Sequence, residues 1–251
     1  MEITVNLVLG VAGSIVATLI VWIFSKWIKR EYLDKRRNNK MLIEIGSKFY
    51  NEGLSKFHFS RDDYESTLST FLDTANTSIS IVSISLKVTQ EEGRLTDLFK
   101  KKLAQNEHFI VTISLINPNN LELVKLAADT LDIRTEKLHS EVVDMLKDLL
   151  TCCQQLTSTE RSRFKILVHD CFPMGSVIML DATPTSGLIQ LETKLYRSPR
   201  NESFGFQLTR ESPFFKRNYA AWNRIIRDSK PIEKEDLVRR RIHNFEKAKQ
   251  K

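Results

Sequence analysis

Two short segments of this 251-residue chain bring together side chains that can do chemistry. His169-Asp170 closes an apolar run, FKILVH, and an imidazole there can act as a general base if a water or hydroxyl stands within about 2.6 to 3.2 Å of a ring nitrogen. A single histidine at a strand end serves equally as a hydrogen-bonded structural residue. Lys194-x-Tyr196-Arg197 offers two cations and a phenol, a set suited to a phosphate, with Arg able to grip it through two parallel hydrogen bonds. The competing reading is an exposed strand end, on which Glu192 alternates with Lys194 and pairs with it. Ser85, Asn117 and Ser176 complete the candidate binding set, because each falls at an end of an expected strand, where α/β sheets place their ligands. Cys152, Cys153 and Cys171 are odd in number and have no metal-ligand spacing, so reduced thiols are expected and neither metal nor cofactor is.

These residues need a sheet to hold them. Ser78 to Leu86 (SISIVSISL) and Phe109 to Ile116 (FIVTISLI) are rich in β-branched residues and predict buried strands. Between them Leu95, Leu98, Phe99 and Leu103 recur at helical spacing, so the order strand, helix, strand predicts a right-handed parallel unit. Leu121 to Leu131 begins the next helical stretch, and Leu138, Val142, Met145, Leu149 and Leu156 mark a long amphipathic helix. Phe164 to His169, Val177 to Asp181, Leu188 to Tyr196 and Phe204 to Leu208 read as four short strands, more antiparallel in order. Ser212-Pro213 opens a further helix. Upstream, Gly46 to Ser60 reads as a hinge with aromatic anchors, and Ser60 with Asp63 resembles a capping box that starts a helix near Arg61.

That order resembles the phospholipase D superfamily over roughly Phe57 to Ser229. Active members carry His-x-Lys-x4-Asp on a loop and strand, and the matching window here is Met174-Gly175-Ser176-Val177-Ile178-Met179-Leu180-Asp181. The Asp position fits, but the nucleophilic His is Met174 and the phosphate-clamping Lys is Ser176. The resemblance implies a half-unit that pairs with a second copy, and it implies that the family's chemistry is lost. Phe57-His58-Phe59-Ser60-Arg61-Asp62-Asp63-Tyr64 is similar, more loosely, to a segment of membrane-anchored bacterial proteins of unknown function.

Ile3 to Phe24 holds no charged side chain across 22 positions. As a helix it would be about 33 Å long, enough for a hydrocarbon core of about 30 Å. Seven Lys or Arg against two acids follow in Ser25 to Lys40, whereas a cleaved signal peptide would carry its basic residues first. The positive-inside rule then puts the N-terminus outside an inner membrane and the rest in the cytoplasm. Gly10/Ser14 and Gly13/Ala17 are spaced for close helix approach, which favours a homo-oligomer, although small residues are common in membrane helices. Net charge is +7, yet the segments 25–40 and 230–251 carry all of it, and residues 41–229 are near −1. The basic flank therefore reads as a contact for anionic inner-leaflet lipid, and nucleic acid is not an expected partner.

The expected fold is α/β: an N-terminal transmembrane helix followed by one mixed-sheet α/β sandwich of phospholipase D-like type. Its parts are a span at 3–24, a basic juxtamembrane helix and hinge at 25–56, a cytoplasmic domain at 57–229 and a charged C-terminal helix or tail at 230–251. Two functions fit it. One is a non-catalytic membrane-anchored sensor or scaffold that binds a phosphorylated small molecule or partner protein, in bacterial signalling or defence. The other is a membrane-bound phosphodiesterase or nuclease that uses His169 with Lys194 or Arg197.

Overall fold

The computed structural model describes residues 47–48, 50–60, 63–86, 92–173, 175–193, 197, 203–209 and 212–232. Two units divide the chain, residues 1–50 and residues 51–251, and every strand and helix named below belongs to the second. The apolar run Ile3–Phe24, the basic stalk, Met174, Lys194, Tyr196 and the tail beyond Ile232 lie outside the described residues. Among the described residues no helix is long and apolar enough to cross a membrane.

In chain order the second unit runs β1 (Leu54–His58), α1 (Leu68–Asp73), β2 (Ser78–Ser83), α2 (Glu92–Gln105), β3 (Ile110–Ile116), α3 (Leu121–Thr130) and α4 (Thr135–Gln154). It continues with α5 (Ser158–Arg161), β4 (Phe164–His169), β5 (Gly175–Leu180), β6 (Leu188–Thr193), β7 (Gly205–Leu208), α6 (Pro213–Asp228) and β8 (Lys230–Pro231). The strands form one mixed sheet in the order β1-β7-β6-β5-β2-β3-β4-β8. β2, β3 and β4 are parallel neighbours, as the strand, helix, strand order predicts, and the remaining pairs are antiparallel.

β3 shows why the centre is parallel: Val111 to Ile116 are all buried, because helices cover one face and α6 reaches the other. Leu138, Val142, Leu146 and Leu149 of α4 form one stripe in the larger core with α2, α3 and the β2-β3-β4 face. A smaller core on the opposite face joins Val177, Met179, Ile189, Leu191 and Leu208 to Phe215 of α6. Ser212 caps α6 by accepting from the Phe215 N–H at 3.0 Å, with Pro213 in its first turn.

Two elements differ from the sequence expectation. The stretch read as a hinge contains β1, an edge strand paired only with β7. Its sequence, LSKFH, lacks an apolar run because an edge strand buries little. The helix expected near Arg61 begins instead at Leu68, where the Thr67 hydroxyl accepts from the Thr70 N–H at 3.3 Å. The Ser60 N–H does bond the Asp63 carboxylate at 2.9 Å, but this closes an isolated turn.

The Asp of the degenerate motif window is an architectural residue. Asp181 follows β5 with a left-handed backbone, φ 50°. Its carboxylate accepts from the N–H groups of Asn76, Thr77 and Ser78 at 2.9, 2.6 and 2.9 Å, and from the Thr77 hydroxyl at 2.9 Å. Its own N–H returns a bond to the Ser78 carbonyl at 3.0 Å. The end of β5 is thus tied to the turn that starts β2. Partial burial pushes the Asp181 carboxyl up, but the N–H donors of Asn76, Ser78 and Thr77 outweigh it and leave the carboxyl below its ordinary range. A carboxyl lowered in the folded state stabilises fully above its unfolded value, about pH 4, and loses that contribution as pH falls through the folded value. Asp181→Ala is therefore expected to cost about 1 to 3 kcal/mol in urea unfolding at pH 7. The difference between variant and wild type should shrink below about pH 4; an unchanged midpoint at pH 7 would refute the clamp.

Candidate functional site

The alternation of β6 sets the site. Ile189 and Leu191 face α6, so Gln190 and Glu192 must face the other way. Strand pairing then aligns a row across the sheet: Ser176 of β5 opposes Glu192, Glu192 opposes Gly205 of β7, and Gly205 opposes His58 of β1. A second row, one pleat along, runs from Ile81 through Ile178, Gln190 and Gln207 to Lys56. Over these rows lie the Tyr64–Thr67 segment and α1, and between them is a cavity of about 680 Å³. Ile81, Ile178, Leu188, Leu68 and Phe71 give it an apolar wall, while Ser83, Ser85, Ser176, Glu192 and His58 give it a polar end.

The hydrogen bonds at the polar end fix where the protons are. The Ser83 hydroxyl donates its one proton to the Ser85 carbonyl at 2.8 Å. Its 2.8 Å contact with the Ser176 hydroxyl must therefore be donated by Ser176. The His58 Nδ1 lies 3.3 Å from the Asp63 carbonyl, which can only accept, so Nδ1 carries a proton. His58 is 6% exposed, and its buried Nε2 has no hydrogen-bond partner. Tyr64 packs edge-on against the His58 ring, centroids 4.7 Å apart. Its hydroxyl occupies space that only a glycine at 205 leaves open, since a Cβ there would stand 2.5 Å from it. At the rim the Lys56 ammonium bonds the Glu65 carboxylate and holds that carboxyl below its ordinary range. Glu192 is 8% exposed.

Of the residues singled out from sequence, Ser85 and Ser176 line this cavity. His169 stands behind its wall, 2% exposed, with Nδ1 2.9 Å from the Cys171 carbonyl and Nε2 3.3 Å from the Ser83 carbonyl. Both ring nitrogens thus face backbone carbonyls, and a neutral imidazole donates its one N–H to the nearer, that of Cys171, which suits a structural residue more than a base. Burial holds the His169 pKa below its ordinary value against the raising effect of those two carbonyls. Asn117 shapes the β3–α3 turn: its Nδ2 donates to Asp170 at 2.8 Å and its Oδ1 accepts from the Asn119 N–H at 3.0 Å. Arg197 is exposed, with φ 55° and its backbone N–H on the Thr130 carbonyl at 2.8 Å. Burial pushes the Cys152 thiol up to about 11, so that cysteine is inert at neutral pH. Among the described residues no His, Cys, Asp and Glu cluster could hold a metal ion.

Sequence reasoning missed His58, Gln190, Glu192 and Gln207 as site residues. The alternation of Gln190 and Glu192 with Ile189 and Leu191 was their one local signal. His58 and Tyr64 sit inside the segment noted for its likeness to membrane-anchored proteins.

The chain is similar in structure to TrmBL2, described as an archaeal chromatin protein with a novel mode of DNA binding, at 12% identity and a TM-score of 0.41, over 84% of this chain and 68% of that one. It is similar also to Nuc of Salmonella typhimurium, a phospholipase D family member, at 12% identity and a TM-score of 0.42, over 71% of this chain and 97% of that one. No known family's sequence profile matches the chain, and no curated protein does.

A histidine whose folded pKa is lowered is neutral in the fold while the unfolded chain takes up its proton below about pH 6.5. The fold is then destabilised progressively as pH falls through that value. Melting temperatures at pH 7.5 and 5.5 should show this drop, and His169→Gln should reduce it. A drop of equal size in the variant would assign the effect to other groups.

Proposed function

We propose that residues 51–232 form a phospholipase D-like domain that binds a ligand in the β1-β7-β6-β5-β2 cavity without the family's phosphoryl chemistry, and that the apolar segment 3–24 holds it at a bacterial inner membrane. The observation that carries this reading is the state of the motif window. Asp181, its one retained member, is engaged on the turn before β2. Ser176, at the Lys position, is a neutral hydroxyl bonded to Ser83. Phosphoryl transfer is almost entirely positioning and charge stabilisation, and a hydroxyl in the place of an ammonium supplies no charge to clamp a phosphate.

What remains is a preformed concave pocket with an apolar wall and a few convergent polar groups, the usual form of a small-molecule site. The half-unit implied by the sequence resemblance and the small-residue face of segment 3–24 both support a homo-oligomer. A sensor or scaffold fits these features, with occupancy of the cavity as its input.

The full chain in detergent tests both halves. It should remain with membranes after an alkaline carbonate wash, and it should not hydrolyse bis(p-nitrophenyl) phosphate or single-stranded DNA. Turnover that disappears in His169→Ala would replace this reading with the phosphodiesterase or nuclease.

A further inference from the structure

We infer that β1 is a pairing edge for a second copy of this chain: two β1 strands meet antiparallel about a two-fold axis at Phe57 and join two sheets into one. This rests on the homo-oligomer of the proposed function and names the surface that makes it. β1 ends the sheet, and Ser55, Lys56 and Phe57 on it are exposed. Phe59, just beyond the strand, is 81% exposed. The ladder shows which backbone groups are open. The Thr193 N–H bonds the Phe204 carbonyl at 2.9 Å, and the bonds of an antiparallel ladder recur at every second residue. Along β7, Phe206 and Leu208 therefore turn to β6, while Gly205 and Gln207 turn to β1. Their partners in register are His58 and Lys56, so the N–H and C=O of Phe57, between these two, point away from the sheet. The opposite end of the sheet is closed differently, by β8, which is two residues long and contains Pro231, a common way to blunt an edge.

An open edge accepts any extended strand, and three features select a second copy. The edge matches itself. With the axis at Phe57, the two Phe57 residues exchange N–H and C=O as a hydrogen-bonded pair, Lys56 stands opposite His58, and Phe59 comes beside Ser55. An axis at Lys56 would instead set two ammoniums opposite each other. The rings fit the same arrangement: Phe57 and Phe59 meet edge to face with centroids 5.0 Å apart, and Phe57 stacks on Phe204 at 5.8 Å. Joining two such edges extends these rings into one aromatic row across the axis, and cross-strand aromatic pairs are favourable. The β1 bulge lies between Leu54 and Lys56 and leaves Lys56 to His58 regular, and Glu65 holds the Lys56 ammonium, so neither device blocks the edge. The third feature is the tether. One short strand per copy falls below the roughly 1,200 Å² that a stable interface buries, so the contact needs help. Among the described residues β1 is the first strand after segment 3–24, whose small-residue face is expected to pair in the membrane. Pairing there makes the β1 contact intramolecular, at an effective concentration on the order of millimolar, and a foreign strand has no such tether.

The test uses the full chain in isolated membranes, with the photo-cross-linker p-benzoylphenylalanine at position 59. Irradiation should give a covalent dimer on a denaturing gel, and mass spectrometry should place the link on residues 54–60 of the second copy. Phe57→Pro should abolish that dimer and leave the domain folded, since the N–H it removes faces away from the sheet. Phe57→Lys keeps the backbone N–H and sets two ammoniums across the axis. It should lower cross-linking severalfold, and it keeps the test open if the proline variant fails to fold. A link mapped outside β1, or a dimer undiminished in Phe57→Lys, would overturn the inference and leave a homo-oligomer made by another surface. A link to a different protein would give the edge another occupant and overturn it as well. No dimer at all would overturn the inference together with the homo-oligomer, whereas release of the chain by a carbonate wash would overturn the anchor alone, because the β1 link is read independently of it.

Discussion

The register that joins β5, β6, β7 and β1 is the constraint on which the site depends. Val177, Met179, Ile189, Leu191 and Leu208 must face α6 to make the smaller core. Because side chains alternate with a period of two, that choice drives Ser176, Glu192, Gln190, Gln207 and His58 to the opposite face. A slip of one residue would put Glu192 against Phe215, so the apolar face protects the polar row as firmly as it protects itself. The polar row is thereby a by-product of correct core packing, and the Tyr64–Thr67 segment and α1 roof it to make the cavity.

The ends of the strands carry a second constraint. Three polar residues placed as a catalytic centre would place them instead hold strands together. Asp181 joins β5 to the start of β2, the buried His169 ring packs the end of β4 against the Ser83 carbonyl at the end of β2, and Asn117 with Asp170 joins the ends of β3 and β4. β2 is thus fixed at both ends by side chains, which steadies Ser83 and through it Ser176. The polar end of the cavity inherits that rigidity, a condition for preorganised recognition.

The central strands were legible because buried parallel strands must be β-branched runs, and SISIV, FIVTISLI and FKILVH are such runs. The edge strand β1 was not, since LSKFH has one neighbour and little burial to advertise it. The helix start was misplaced because Ser60 with Asp63 and Thr67 with Thr70 offer the same local capping chemistry. Leu68, Phe71 and Leu72 decide between them, because they reach the larger core only from a helix that starts at the second cap. The site was legible only in part. Ser85 and Ser176 lie near strand ends and were found by that rule. His58 joins the row of Glu192 through the β1–β7 pairing, between strands about 150 residues apart, and no local pattern encodes register across that distance.

The pairing of Ser176 with Glu192 sets what position 176 can hold. In the β5–β6 ladder the two residues are direct cross-strand neighbours, about 5 Å apart at Cβ. A Lys at 176 would set an ammonium over the Glu192 carboxylate, fill the polar end of the cavity and bring donors to the row from within the protein. A Ser leaves that volume open. Gly205, on the other side of Glu192, acts in the same direction, because it admits the Tyr64 hydroxyl beside the row where any side chain would collide with it. Ser176 and Gly205 both flank Glu192, and their small size serves two ends: Ser176 leaves cavity volume, and Gly205 leaves the place that the Tyr64 hydroxyl takes.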